Sequence, residues 1–255
     1  MFRRIALLMP FLVFAPGGAW AQSQAAHLVD LELALLVDVS SSVNDREYRL
    51  QAEGLATAFR DPRVIGAIRS SAPRGIAVAV IQWADQDHQV VSQKWTLVRS
   101  EADALWLAAE LAAMPRLIHS GHTALGDALA HGLRELETNH FDGLRRVIDL
   151  SGDGRTNDGQ PLRRARQAVL DSGVTINGLA ILNEIPLLAQ YFRDHLIGGE
   201  DAFAMTAQDY GDFAQAMTQK LVREISAAPL TRRDISPSPP DNAAGRRPSR
   251  TKAAG

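Results

Sequence analysis

Four apolar runs constrain this chain more than any other feature. They are Leu31–Val37 (LELALLV), Gly75–Trp83 (GIAVAVIQW), Arg146–Leu150 (RVIDL) and Val174–Leu182 (VTINGLAIL). Each is too short for a buried helix and too continuous for a strand with one wet face, so each predicts a strand covered on both sides. Segments with helical spacing separate them. Asn44 or Asp45 caps a helix carrying Tyr48, Leu50, Leu55, Ala58 and Phe59. Ser100 stands three residues before Asp103, a capping-box spacing, and opens a helix to about Met114. Thr123 to Leu136 places Leu125, Leu129, Leu133 and Leu136 on one face. Pro161–Leu170, Leu187–Leu196 and a last segment from Asp209 or Asp212 to about Ile225 are further helices. Val90–Trp95 is an edge strand, and Ala202–Met205 is a short final one. Alternation of this kind predicts an α/β fold, a doubly wound, mostly parallel sheet with helices on both faces.

The two ends read differently from the body. Met1-Phe2-Arg3-Arg4 is basic, Ile5–Phe14 is apolar, and Ala19-Trp20-Ala21 has the small residues of a cleavage site. That order is the signature of a secretory signal peptide, residues 1–21. Its apolar run is shorter than the roughly 20 residues a spanning helix needs. A linker at 22–28 leads to one domain at 29–227, and no later segment is expected to span a membrane. Residues 228–255 form a Pro- and Arg-rich tail with six basic side chains and two acidic ones. Such a composition buries little and predicts disorder. The tail offers contact with anionic surfaces, whereas the acidic body gives no reason to expect nucleic-acid binding. The expected location is the bacterial periplasm or the medium. With no cysteine in 255 residues, thiolate catalysis, Cys-ligated zinc and disulfide scaffolds are excluded.

Ligands of doubly wound sheets sit beyond the carboxyl ends of the strands. Three loops there carry chemistry. Asp38-Val39-Ser40-Ser41-Ser42 follows the first strand, Ser120–Gly126 (SGHTALG) precedes a helix, and Ser151–Asn157 (SGDGRTN) follows a later strand. Asp38 and Asp153 supply carboxylates; Ser40, Ser42 and Thr123 supply hydroxyls. All are hard oxygen donors, suited to Mg²⁺, Mn²⁺ or Ca²⁺ rather than zinc. The alternation of Ser40 and Ser42 turns both hydroxyls to one point and Ser41 away. Gly121, Gly126, Gly152 and Gly154 are expected to let the backbone turn tightly there.

D-x-S-x-S, a later Thr in G-x-T-x-x-G-x-A-L, and a later S-G-D-G resemble the metal-ion-dependent adhesion site of von Willebrand factor A domains. The likeness extends over about Val29–Ala227, and the export signal makes the chain similar to an exported bacterial branch of unknown function. The resemblance implies a divalent cation, Mg²⁺ first, held by Asp38, Ser40, Ser42, Thr123 and Asp153, with the aspartates often acting through bridging waters. It also implies a binding module whose ion captures an Asp or Glu carboxylate of a partner protein. Two other readings remain open: a metal-assisted hydrolase of an anionic substrate using His119 or His122, and a metal-free scaffold. No nucleophile–base pair is recognisable, so an enzyme is not the expectation.

Other residues have plainer expectations. His119 and His122 face solvent, and Asp85 and Asp87 are turn residues. Asn157 and Asp158 cap the following helix. Arg155, Arg163, Arg164 and Arg166 are solvated. Trp83, Trp95 and Trp106 pack in the core or at an edge. Asp149 either accepts a hydrogen bond from a site loop or ends its strand.

Overall fold

The computed structural model describes residues 26–227. The expected signal peptide, residues 1–21, and the expected tail, residues 228–255, lie outside the described residues. In chain order the elements are β1 (His27–Asp38), α1 (Asp45–Arg60), α2 (Pro62–Ser71), β2 (Ile76–Trp83), β3 (Gln89–Val98), α3 (Glu101–Ala112), α4 (Leu125–Thr138), β4 (Phe141–Gly152), α5 (Leu162–Asp171), β5 (Thr175–Ile181), α6 (Leu188–Tyr191), β6 (Ala204–Ala207) and α7 (Phe213–Ser226). A π-turn, Phe192–Leu196, continues α6.

One six-stranded sheet has the order β3-β2-β1-β4-β5-β6. Every pairing is parallel except β2–β3. The fold class expected from the apolar runs is therefore the one observed. The chain leaves β1 toward β2 on one side and later returns to β4 on the other. The ends of β1 and β4 thus form the topological switch point, where a crevice opens.

Alternation along β1 divides the core. Leu31, Leu33, Leu35 and Val37 face a layer that includes Leu55 and Phe59 of α1, Leu107 of α3, and Phe213 and Leu221 of α7. Ala34 and Leu36 face Leu125 and Leu129 of α4 and Val169 of α5. Helix starts are built locally. Asn44 accepts from the backbone of Arg46 and Glu47, and Glu47 returns a bond to the Asn44 N–H. Ser100 and Asp103 do the same for α3.

Several boundaries differ from the sequence reading. α2 was not anticipated, although Asp61 caps it and Pro62 occupies its first turn, a strong start signal. β4 begins at Phe141 rather than Arg146, because its half-buried first residues pair with His27–Val29 of β1. Helical structure in the fourth helix starts at Leu125, which leaves Thr123 and Ala124 ahead of it. β6 is shifted to Ala204–Ala207. Trp83 is fully buried, but Trp106 is 53% exposed on α3, contrary to a packing role.

Asp149 has neither role expected of it. It lies within β4, fully buried, and faces Lys220 of α7. Lys220 Nζ stands 2.7 Å from Asp149 Oδ1, an ion pair off the line of a good hydrogen bond, and 2.6 Å from Glu224 Oε1. Asn177 on β5 donates to Glu224 Oε1 at 2.9 Å and accepts from the Phe203 N–H. One ammonium between two carboxylates leaves an excess negative charge. Burial and the neighbouring Glu224 push the Asp149 carboxyl up to about 7, against the pull of Lys220.

Lys220→Met should leave two facing buried carboxylates and cost about 3–5 kcal/mol at pH 8. A raised carboxyl favours the fold below its unfolded pKa and loses that contribution as pH rises through the folded value. The variant should therefore recover much of its stability at pH 5. Urea unfolding at both pH values measures this, and an equal loss at the two would refute the charge argument.

Candidate metal centre

β1 ends at Asp38, aligned with Trp83 of β2, and its neighbour Val37 aligns with Ser151 of β4. The turn after β1 is fixed at once: Asp38 Oδ1 accepts from the Ser40 N–H at 2.8 Å. Gln51 of α1 donates to the Asp38 carbonyl at 2.9 Å. Ser40 Oγ and Ser42 Oγ are 3.1 Å apart, and Ser42 Oγ donates to Asp153 Oδ1 at 2.8 Å. Asp38, Ser40, Ser42 and Asp153, separated by up to 115 positions in sequence, are thus joined by one run of hydrogen bonds, the first made by the Ser40 backbone and the others between oxygens. Ser41 points the other way, where its hydroxyl accepts from the Gly121 N–H at 3.0 Å.

Thr123 joins from the second loop. It exchanges hydrogen bonds with Asn157: its N–H donates to Asn157 Oδ1 at 2.8 Å, and its carbonyl accepts from the Asn157 N–H at 3.0 Å. Asn157 therefore clamps two site loops together and does not cap α5, which starts behind Pro161 with no side-chain cap. Thr123 Oγ1 lies over Gly154, where an added Cβ would stand 3.3 Å from it.

The glycines act mainly by making room. A Cβ on Gly152 would come within 2.9 Å of Asp38 Oδ2, and one on Gly126 within 2.5 Å of the Gln160 carbonyl. Only Gly121 also has a left-handed backbone, with φ of 145°. Close approach, not tight turning, explains the other three.

The electrostatics are unusual. Asp38 and Asp153 are both 0% exposed. Asp38 Oδ2 is buried without any hydrogen-bond partner. Burial first, and the Asp153 charge second, push the Asp38 carboxyl up to about 7. A buried carboxylate oxygen without a donor is costly. A cation beside it would remove that cost. Among the described residues no cluster of three or more His, Cys, Asp or Glu side chains could hold a metal. An ion here would rely on two carboxylates and hydroxyls, a set of hard oxygens that fits Mg²⁺, Mn²⁺ or Ca²⁺.

Two residues at this centre had no signal in the sequence. Tyr210, in the turn before α7, is 3% exposed and donates to Asp153 Oδ2 at 2.9 Å. Arg116 lies in the irregular stretch after α3. It donates to the carbonyls of Val39 and Ile118 and pairs with Asp45 at 2.9 Å, stapling the first loop to the second. Neither residue belongs to a local motif, and each meets the site only through the chain's return.

The remaining residues divide. His119 and His122 are exposed. Arg155 stacks 5.3 Å above the Tyr191 ring, and Arg166 donates to the Ile197 carbonyl, so neither is simply solvated. Asp85 accepts from His88 and lies against Gly121.

Solved structures share this fold. They include proximal thread matrix protein 1 from the mussel byssus with a zinc-occupied MIDAS motif (15% identity, 78% of this chain and 48% of that one, TM-score 0.54). A von Willebrand factor type A protein from Catenulispora acidiphila matches at 19% identity, over 77% of this chain and 42% of that one, with a TM-score of 0.54. BatB from Bacteroides thetaiotaomicron matches at 14% identity, over 77% and 98%, with a TM-score of 0.51. This chain spans about half the length of the mussel proteins. Identities this low show a common fold and nothing finer. No curated protein matches the chain in sequence. The family model "Protein of unknown function (DUF1194)" matches residues 28–229. With the sheet order, the helical layers and these neighbours, that match identifies the chain as a member of the DUF1194 family, a branch with the von Willebrand factor A fold.

Proposed function

We propose that this protein is an exported, adhesion-type binding module that captures a partner's Asp or Glu carboxylate through a divalent cation. The observation that carries the reading is Asp38 Oδ2, a buried carboxylate oxygen with no donor, in a centre shared with Asp153 and two serine hydroxyls. Asp38, Ser40, Ser42, Thr123 and Asp153 would hold the ion. Two carboxylates neutralise it and leave room in its coordination for an outside anion. The zinc-occupied motif of the mussel neighbour supports an ion at this place in the fold. Export rests on residues 1–21; among the described residues, no helix is long and apolar enough to cross a membrane. The basic tail would then meet anionic surfaces. The hydrolase reading has no supporting observation: His119 and His122 are exposed and make no hydrogen bond to a site hydroxyl.

Calorimetric titration of Mg²⁺ and Mn²⁺ into chelator-stripped protein should give one site per chain, and Asp153→Ala should abolish it without loss of fold. Binding of an acidic-peptide resin should follow the ion and vanish in chelator; retention unchanged by chelator would refute the proposal.

The same centre predicts a pH dependence. The Asp38 proton must leave before an ion binds, so affinity should fall by up to about tenfold per unit below pH 7 and level off above it. Without ion, the raised Asp38 carboxyl favours the fold below about pH 4, and that contribution is lost as pH rises through about 7. The melting-temperature gain from saturating Mg²⁺ should therefore be larger at pH 8 than at pH 5. Equal gains would remove Asp38 from the ligand set.

A further inference from the structure

The hydrogen bonds around the two site carboxylates are not distributed evenly over their oxygens. Asp38 Oδ1 is taken by the Ser40 N–H, and Asp38 Oδ2 is free. Asp153 Oδ2 is taken by the Tyr210 hydroxyl, and Asp153 Oδ1 faces Ser42. Each carboxylate thus has one oxygen tied back to the protein, and the other oxygen of Asp153 is turned to Ser42. The Ser40 tie is a backbone bond within one turn. The Tyr210 tie reaches across 57 positions from the segment between β6 and α7.

Tyr210 is well placed to hold this arrangement. Its ring belongs to the core layer with Phe213 and Tyr48. Its backbone is fixed by Asp209, whose Oδ1 accepts from the N–H groups of Gly211 and Asp212 at 2.7 and 3.2 Å. Burial and the charges of Asp153 and Asp38 push the phenol's pKa up, so the hydroxyl remains a donor.

The number of free oxygens bears on which ion is accepted. Ca²⁺ takes six to eight oxygens and readily uses both oxygens of a carboxylate, whereas Mg²⁺ demands a near-octahedral six. We infer that Tyr210 is a specificity-determining positioning residue: by engaging Asp153 Oδ2 it keeps Asp153 one-oxygen toward the ion and disfavours Ca²⁺ relative to Mg²⁺. The inference rests on the metal-site reading above and adds to it a residue outside the five proposed ligands.

Tyr210→Phe tests it, because the ring and its packing stay while the donor is removed. Mg²⁺ and Ca²⁺ are titrated separately by calorimetry into the chelator-stripped full chain and the variant. Outer-shell changes at metal sites typically cost 10–100-fold. The variant should lose about tenfold in Mg²⁺ affinity and lose less, or gain, for Ca²⁺, so that the affinity ratio moves toward Ca²⁺. A ratio equal to that of the wild type overturns the inference, including the case where both ions weaken together, as a merely structural role would give. Failure of the wild type to bind either ion overturns the metal reading itself and this inference with it. A crystal structure of the wild type with Ca²⁺ provides a check independent of the variant's folding. Asp153 bound through one oxygen, with Tyr210 still on the other, supports the inference; a bidentate Asp153 overturns it.

Discussion

Two buried carboxylates, Asp38 and Asp153, meet at the sheet's switch point, and the surrounding loops are organised to hold them there. Like charges in a desolvated place repel, and here no described salt bridge offsets them. The repulsion is spread instead over polar contacts: the Ser40 N–H, the Ser42 hydroxyl and the Tyr210 phenol each take one oxygen. One oxygen of Asp38 is left over. That unsatisfied oxygen is the feature on which the proposed cation site rests, and the three loops are secured to one another around it. Ser41 and Gly121 join the first loop to the second, and Thr123 and Asn157 join the second to the third.

A second buried charge cluster lies under α7 and is resolved differently. Asp149 and Glu224 share Lys220, so the protein carries its own cation there. The two clusters sit on the same strand, β4, with Asp149 within it and Asp153 just past its end. Where the counter-charge is covalently attached, the cluster is a fixed part of helix docking. At Asp38 and Asp153, among the described residues, no basic side chain pairs with either carboxylate, so that cluster has no counter-charge of its own. Tyr210 and Lys220 both come from the chain's last stretch, so this stretch secures both ends of the arrangement.

Legibility in the sequence tracks how local each feature is. The strands were readable because residues buried on both faces leave continuous apolar runs. The first halves of β1 and β4 pair beyond the Leu31 and Arg146 starts and leave no such run, so β4 was read too short. α2 carried its start signal in Asp61-Pro62, yet its ten residues follow directly on α1 and were given no element of their own. The five candidate oxygens were legible as a group because D-x-S-x-S, the Thr before a helix and the later Asp each stand at a strand or helix end. Asn157 misled for a related reason: a polar residue before a helix suggests a cap, and nothing local reveals that it faces Thr123 instead.

By itself the sequence determined the sheet's strands, the helical layers and the five candidate oxygens offered at strand and helix ends, because periodicity and turn composition are properties of neighbours in the chain. Only the tertiary structure decided that Ser42 and Tyr210 each engage one oxygen of Asp153, that Tyr210 and Arg116 brace the loops, and that Asp149 answers to a buried lysine. Those are contacts between segments tens of residues apart. Their partners are chosen by which strands lie side by side and how helices cross them, and no local pattern encodes that choice.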